Sequence, residues 1–270
     1  MIDEKRRVSF DSAALMYEEV RPSYPDPLID DIIKYSEINS DDCILEIGAG
    51  TGKATAMFAS RGQSVIAIEP GKEMAAIAEK KFEFSSKVQI HRSKFEDWDN
   101  QGKHFGIVAA AQSFHWINPA IKYQKSAEVL KPNGYIALFW NTAYGLDREI
   151  WKQLSAIYQD YFQNEQPFYL HEQAEPLAPN KTIEASIAKR NKDLNNSGRF
   201  RKSKTFIYDW TQEYSRPAFL KLLNTFSDHR ILDTYIRDKL FFKIGAYIDN
   251  LGGSISYPYR SVLHLAEVDS

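Results

Sequence analysis

The segment Ile44-Leu45-Glu46-Ile47-Gly48-Ala49-Gly50-Thr51-Gly52-Lys53 constrains this chain more than any other. A short apolar run breaks into three glycines at alternate positions, and a helical pattern follows. Val65-Ile66-Ala67-Ile68-Glu69-Pro70 supplies a second apolar run that again ends in an acid. The order reads as strand, tight turn, helix and strand, the unit from which open parallel sheets are built. In such sheets ligands bind beyond the carboxyl ends of the strands, where this turn lies. Glycine there permits φ > 0 and removes the Cβ that would keep a ligand off the backbone.

The chemistry of the turn separates nucleotide-type ligands. A dinucleotide fingerprint reads G-x-G-x-x-G and aims a helix N-terminus at a pyrophosphate. Here the third glycine, Gly52, comes one position early and Lys53 follows it. Glu46, two residues before Gly48, would repel a pyrophosphate and suit a cation. Glu69 is placed to accept hydrogen bonds from two ribose hydroxyls. Adenosine with a cationic tail describes S-adenosylmethionine (SAM), whose sulfonium and ammonium are both positive. The plain alternative is a βαβ turn that binds nothing.

Glu46-Ile47-Gly48-Ala49-Gly50-Thr51-Gly52 resembles the E/D-x-G-x-G-x-G signature of class I SAM-dependent methyltransferases. Ala67-Ile68-Glu69-Pro70-Gly71-Lys72-Glu73-Met74 is similar to their second motif. Ala111-Gln112-Ser113-Phe114-His115-Trp116 and Val129-Leu130-Lys131-Pro132-Asn133-Gly134-Tyr135 resemble the type 11 small-molecule branch. The likeness covers residues 10–142 and is only architectural beyond them. It implies an α/β fold: a doubly wound, Rossmann-like sheet of seven strands, the last antiparallel, with helices on both faces and a cap.

The resemblance also implies roles. The backbone of Gly48, Gly50 and Gly52, with Ala49 and Thr51 between them, lies beneath the methionine and ribose of SAM. Glu46 serves the ammonium directly or through water, and Glu69 holds the ribose. Pro70 and Met74 supply apolar faces to adenine, although Met74 reads equally well as a core residue. Lys94 and Phe95 depart from the family's usual residues, so backbone contact is expected at Phe95. Glu96 reads as an adenine partner or as an exposed loop acid. Ala111 offers backbone to the methionine end, with Gln112 nearby, and His115-Trp116 opens the pocket towards substrate. Tyr17-Glu18-Glu19-Val20-Arg21-Pro22-Ser23-Tyr24-Pro25 resembles a lid laid across the cofactor. There the Tyr17 ring faces the sulfonium, and Arg21 pairs with the methionine carboxylate or with an anionic substrate.

Several partners are excluded or narrowed. A net charge of −2 argues against a nucleic-acid footprint over the whole protein. No apolar run approaches a membrane span, the first residues lack a secretory stretch, and Cys43 is the lone cysteine. A reducing cytoplasm is the expected compartment. The histidines lack paired metal-ligand spacing, so no metal is expected. One run stands out: Lys189, Arg190, Lys192, Arg199, Arg201, Lys202 and Lys204 face a single acid, Asp193. It reads as a solvated face, a site for an acidic small molecule, or a contact for RNA or protein.

Periodicity predicts a helix over 25–38, then strands over 43–48, 64–69, 87–91, 105–111 and 134–141. Helices fall between them over 51–62, 72–83 and 119–130. Further on, a helix is expected over 147–164, an irregular insertion over 165–200, strands near 203–210 and 254–267, and helices near 215–227 and 229–249. The whole 1–270 is expected to form one domain: lid and first helix (1–40), cofactor core (41–142), cap (147–202) and completion of the sheet (203–270). The expected activity is methyl transfer from SAM to a small molecule, with oxygen or carboxylate attack preferred and S-adenosylhomocysteine as product. A hydroxyl or amine acceptor needs a base, for which His115 is placed; a carboxylate needs none. The alternatives are an RNA or protein methyltransferase and a SAM-binding module without catalysis.

Overall fold

The structure, a computed structural model, describes residues 13–161 and 181–269, with only the backbone of Lys181 and Thr182. Each short apolar run of the first half forms a strand: β1 (Cys43–Ile47), β2 (Ser64–Ile68), β3 (Val88–His91) and β4 (Phe105–Ala111). The last three strands are longer: β5 (Leu130–Ala143), β6 (Phe200–Ser215) and β7 (Ser254–Val268). They form one seven-stranded sheet in the order β3-β2-β1-β4-β5-β7-β6. Pairs from β3 to β5 are parallel, and β7 runs antiparallel to both of its neighbours. The expected fold class is the observed one.

Alternation along the strands explains why both faces are covered. Leu45, Ile47, Ile66, Ile68 and Val108 belong to one core. Their neighbours Ile44, Val65, Ala67, Ile107 and Ala109 belong to another on the opposite face. Continuous apolar runs are the pattern a parallel strand needs when helices cover both sides. In chain order the helices are α1 (Ala14–Val20), α2 (Asp26–Ser36), α3 (Lys53–Ser60), α4 (Lys72–Lys81), α5 (Lys122–Glu128), α6 (Arg148–Gln159), α7 (Lys181–Asn196), α8 (Arg216–Leu223), α9 (Ser227–Arg230) and α10 (Thr234–Asn250). Among the described residues no helix is long and apolar enough to cross a membrane.

A third core joins α1, α6, α8 and α10 to β7 through Val20, Leu154, Tyr158, Phe219, Leu222, Leu240, Ile244 and Tyr257. The lid helix therefore packs against C-terminal elements. Three boundaries differ from the sequence expectation. Residues 181–196 of the supposed irregular insertion are helix α7, and the rest of that insertion up to 180 lies outside the described residues. The contact stripe of α7 is narrow: only Ile183 and Leu194 are buried in a segment that is mostly polar. The helix expected near 229–249 is two helices, because the Asp233 side chain accepts the Tyr235 and Ile236 amides and starts α10 afresh. Strand β6 extends well past 203–210 at both ends, because its alternating charged and aromatic residues pair with β7 along nearly their whole length.

Candidate active site

The carboxyl ends of β1, β2 and β4 meet around a cavity of about 500 Å³. After β1 the chain turns back under the end of β2, where the Gly48 and Ala49 amides both donate to the Ile68 carbonyl at 2.7 and 3.1 Å. Gly48 has φ +69°, and a Cβ there would lie 2.5 Å from Ser113 Cβ. Ser113 comes from the turn after β4 and donates its hydroxyl to the Ile47 carbonyl. Glycine at 48 thus lets two strand ends close on each other. Gly50 and Gly52 also have positive φ.

Glu69 ties the two glycine turns together. Its Oε2 accepts the Gly50 amide at 2.8 Å and its Oε1 accepts the Gly71 amide at 2.7 Å. The carboxylate is held in one orientation at the cavity wall. Glu46 differs: it is fully buried and absent from the wall. Thr55 donates to its Oε2 at 2.6 Å, and its Oε1 has no hydrogen-bond partner among the described residues. Burial, with Glu69 nearby, pushes its carboxyl up to about 7 despite Thr55.

The turn after β4 carries the opposite wall. Gln112 sits at φ +60°, a region non-glycine residues seldom occupy. Its amide donates to Phe139 O at 2.9 Å, and its Nε2 donates to Asn141 O at 2.8 Å. The next turn presents His115, exposed to the open cavity and bonded through Nδ1 to the Trp140 indole N–H at 3.3 Å. The surrounding protein, together with Arg190 and Lys122, pushes its imidazole down to about 4.

The lid helix closes the cavity from the N-terminal side. Glu18 pairs with Lys81 at 2.7 Å, and Lys53 donates to the Glu18 carbonyl at 2.7 Å. Arg21 lies across the Phe226 ring, 4.1 Å from its centroid, and donates from Nε to Thr225 Oγ1 at 2.7 Å. Asn141 donates to the Ser23 carbonyl at 2.8 Å. The lid is thereby fastened to α3, α4, β5 and the α8–α9 turn.

Of the residues singled out from sequence, Tyr17, Arg21, Gly48, Gly50, Glu69, Pro70, Met74, Phe95, Glu96, Ala111, Gln112 and His115 are in this wall. Glu46, Ala49, Thr51 and Gly52 are not. Gly52 packs behind, where a Cβ would meet Phe82 at 2.7 Å. Met74 is both buried and in the wall. Glu96 accepts the Asn118 amide at 2.9 Å, which makes it a loop brace as well as a wall residue. Phe226 and Lys72 went unnoticed in sequence; no motif marks Phe226, which reaches the cavity only through the C-terminal helices.

Residues 44–134 match the family described as "Methyltransferase domain". Over these residues the chain is similar to that family. An uncharacterised methyltransferase of Mycobacterium tuberculosis is 34% identical over 135 residues, 50% of this chain and 53% of that protein. A Saccharomyces cerevisiae protein named "Probable S-adenosylmethionine-dependent methyltransferase CRG1" is 32% identical over 136 residues, 49% of this chain and 45% of that one. The chain thus aligns with about half the length of these relatives. In fold, the chain is similar to YcgJ of Bacillus subtilis, with a TM-score of 0.54, 14% identity, and coverage of 91% and 100% of the two chains. It is also similar to phosphoethanolamine N-methyltransferase 2 of Haemonchus contortus, seen with S-adenosylhomocysteine. There the TM-score is 0.54 at 12% identity, over 96% of this chain and 58% of that one. Among the described residues no group of acids, histidines or cysteines could hold a metal ion.

Proposed function

We propose that the protein moves the methyl group of SAM to a small-molecule acceptor, with an oxygen or carboxylate nucleophile preferred. The observation that carries the reading is Glu69, a buried carboxylate fixed by two glycine amides at the mouth of the parallel strands. When bound, SAM supplies a methyl carbon on a sulfonium, which leaves with the bonding pair retained on sulfur.

The wall residues fit such a ligand by their chemistry. Glu69 presents a carboxylate, an acceptor suited to vicinal hydroxyls, at the cavity wall. Pro70, Met74, Phe95 and Ile117 give apolar surface for a flat base. Gly48 and Gly50 bring bare backbone to the cavity, and the Tyr17 ring suits a cation. The Glu46 carboxylate, short of one partner, would meet an ammonium through water.

A cavity of about 500 Å³ behind a fastened lid favours a small acceptor over a macromolecule. The basic run over 189–204 gives no support to RNA or protein as substrate, because its charges go separate ways. Lys189 pairs with Asp193, Arg201 and Lys202 pair with Glu267, and Lys204 lies over Tyr35. Calorimetry with SAM and S-adenosylhomocysteine tests the reading; folded protein that binds neither overturns it. Methyl release from SAM over a metabolite panel then separates an enzyme from a binding module.

A further inference from the structure

His115 would be the natural proton acceptor in this cavity, yet its surroundings point the other way. Its Nδ1 faces the indole N–H of Trp140 at 3.3 Å. An indole nitrogen donates and never accepts. Nδ1 must therefore present a lone pair, and the proton of the neutral ring sits on Nε2, which points away from Trp140. Moving that proton to Nδ1 would set two N–H groups head to head.

Trp140 cannot turn aside. It is buried within β5, with the Arg190 guanidinium 4.0 Å from its ring centroid on one side. The His264 ring meets it at 5.9 Å, nearly at right angles. The charged groups that bear on His115 are cationic: Arg190 from α7 and Lys122 from α5. The acids in the cavity wall have other duties, Glu69 with its glycine amides and Glu96 with the Asn118 amide.

We propose that Trp140 fixes His115 as an Nε2–H hydrogen-bond donor, and that this N–H receives an anionic oxygen of the methyl acceptor. His115 then orients the acceptor and takes no proton from it; Trp140 is a positioning residue acting through His115. An acceptor that is already a carboxylate suits this arrangement, because it needs no base and is drawn by Arg190 and Lys122. The identity of the ligand rests on the methyl-transfer reading, whereas the tautomer does not.

The test uses long-range proton–nitrogen NMR on the full chain labelled with nitrogen-15, with His115→Gln assigning the resonance. The expected pattern is a neutral Nε2–H imidazole from about pH 5.5 to 8. In Trp140→Phe, which keeps an aromatic ring and loses the donor, His115 should show mixed tautomers. With S-adenosylhomocysteine present, acetate should shift the His115 Nε2 resonance at least about fivefold more tightly than its neutral isostere acetamide. Once a turnover substrate is found, His115→Gln, which keeps an N–H donor, should retain more activity than His115→Ala; loss of about a hundredfold or more in both would instead mark a base. An Nδ1–H tautomer, or titration near 6.5 in the unaltered protein, overturns the proposal. Equal responses to acetate and acetamide overturn its acceptor half. If S-adenosylhomocysteine does not bind while the Nε2–H pattern holds, the methyl-transfer reading fails and the Trp140–His115 assignment stands. Should Trp140→Phe fail to fold, the tautomer in the unaltered protein decides.

Discussion

Strands β1 and β2 are five residues long and end in turns that build the cavity from backbone, whereas β6 and β7 run for 16 and 15 residues and line no part of it. In the first region, two adjacent turns do the work: the Gly48 amide bonds the Ile68 carbonyl, and the Gly50 and Gly71 amides bond Glu69. In the second, the contribution is remote. The helix after β6 places Thr225 and Phe226 against Arg21, some 200 residues earlier. One half thus makes the wall through local geometry, and the other holds the lid over it through tertiary packing.

The strongest way to break that contrast is Gly48→Ala. A Cβ would collide with Ser113 at a left-handed φ, so overpacking and backbone strain together should cost about 2–5 kcal/mol in denaturant unfolding. A change below about 1 kcal/mol would mean the strand ends are not locked together.

Acid should also weaken the fold, chiefly through the C-terminal half. Burial pushes His229 down to about 3 and His264 to about 4, below their ordinary 6.5. As pH falls below 6.5, the unfolded chain takes up protons that these two sites refuse, so stability drops by roughly 1.4 kcal/mol per pH unit for each. Glu46 opposes this. Its folded value is near 7 and its ordinary one 4.5, so lowering the pH through that window relieves a cost. From these three groups the net loss from pH 6.5 to 4.5 should be about 2 kcal/mol, and larger in Glu46→Gln. Unfolding midpoints measured across that range, with and without the substitution, check both signs.

Smaller effects sharpen the comparison. Glu69→Ala should weaken S-adenosylhomocysteine binding by about 1–3 kcal/mol, since it strands two glycine amides and removes the proposed hydroxyl acceptor. Unchanged affinity in calorimetry would move the ribose elsewhere. Thr225→Val removes the acceptor for Arg21 and the donor to the Leu222 carbonyl; it should cost about 1–3 kcal/mol and speed amide exchange over Ala14–Val20. If exchange there is unaltered, Arg21 does not fasten the lid. Lys192→Ser with Arg199→Ser, both at exposed positions, should leave stability within about 0.5 kcal/mol. A steep salt dependence of any activity would return the macromolecular reading to consideration.

The parallel half of the fold was legible because each strand is a short apolar run closed by a turn residue. Most of the wall was legible too, because glycine spacing and terminal acids are local signals. Helix α7 was not, since a polar helix that buries only Ile183 and Leu194 leaves a faint stripe. Glu46 shows the limit from the other side. Its sequence position suggested an ammonium partner, directly or through water, and its place behind the turn follows from the pleat, which sends alternate side chains to opposite faces.

By itself, then, the sequence determined the strand–turn–helix units, the glycine turns and the acid at the end of β2, because all depend on residues a few positions apart. Only the tertiary structure decided what closes the cavity and what state His115 holds. The first depends on Arg21 meeting Thr225 and Phe226, and the second on Trp140 from the neighbouring strand aiming its N–H at Nδ1. Both are contacts between distant segments, and hydrogen-bond direction between such segments leaves no periodic trace in the chain.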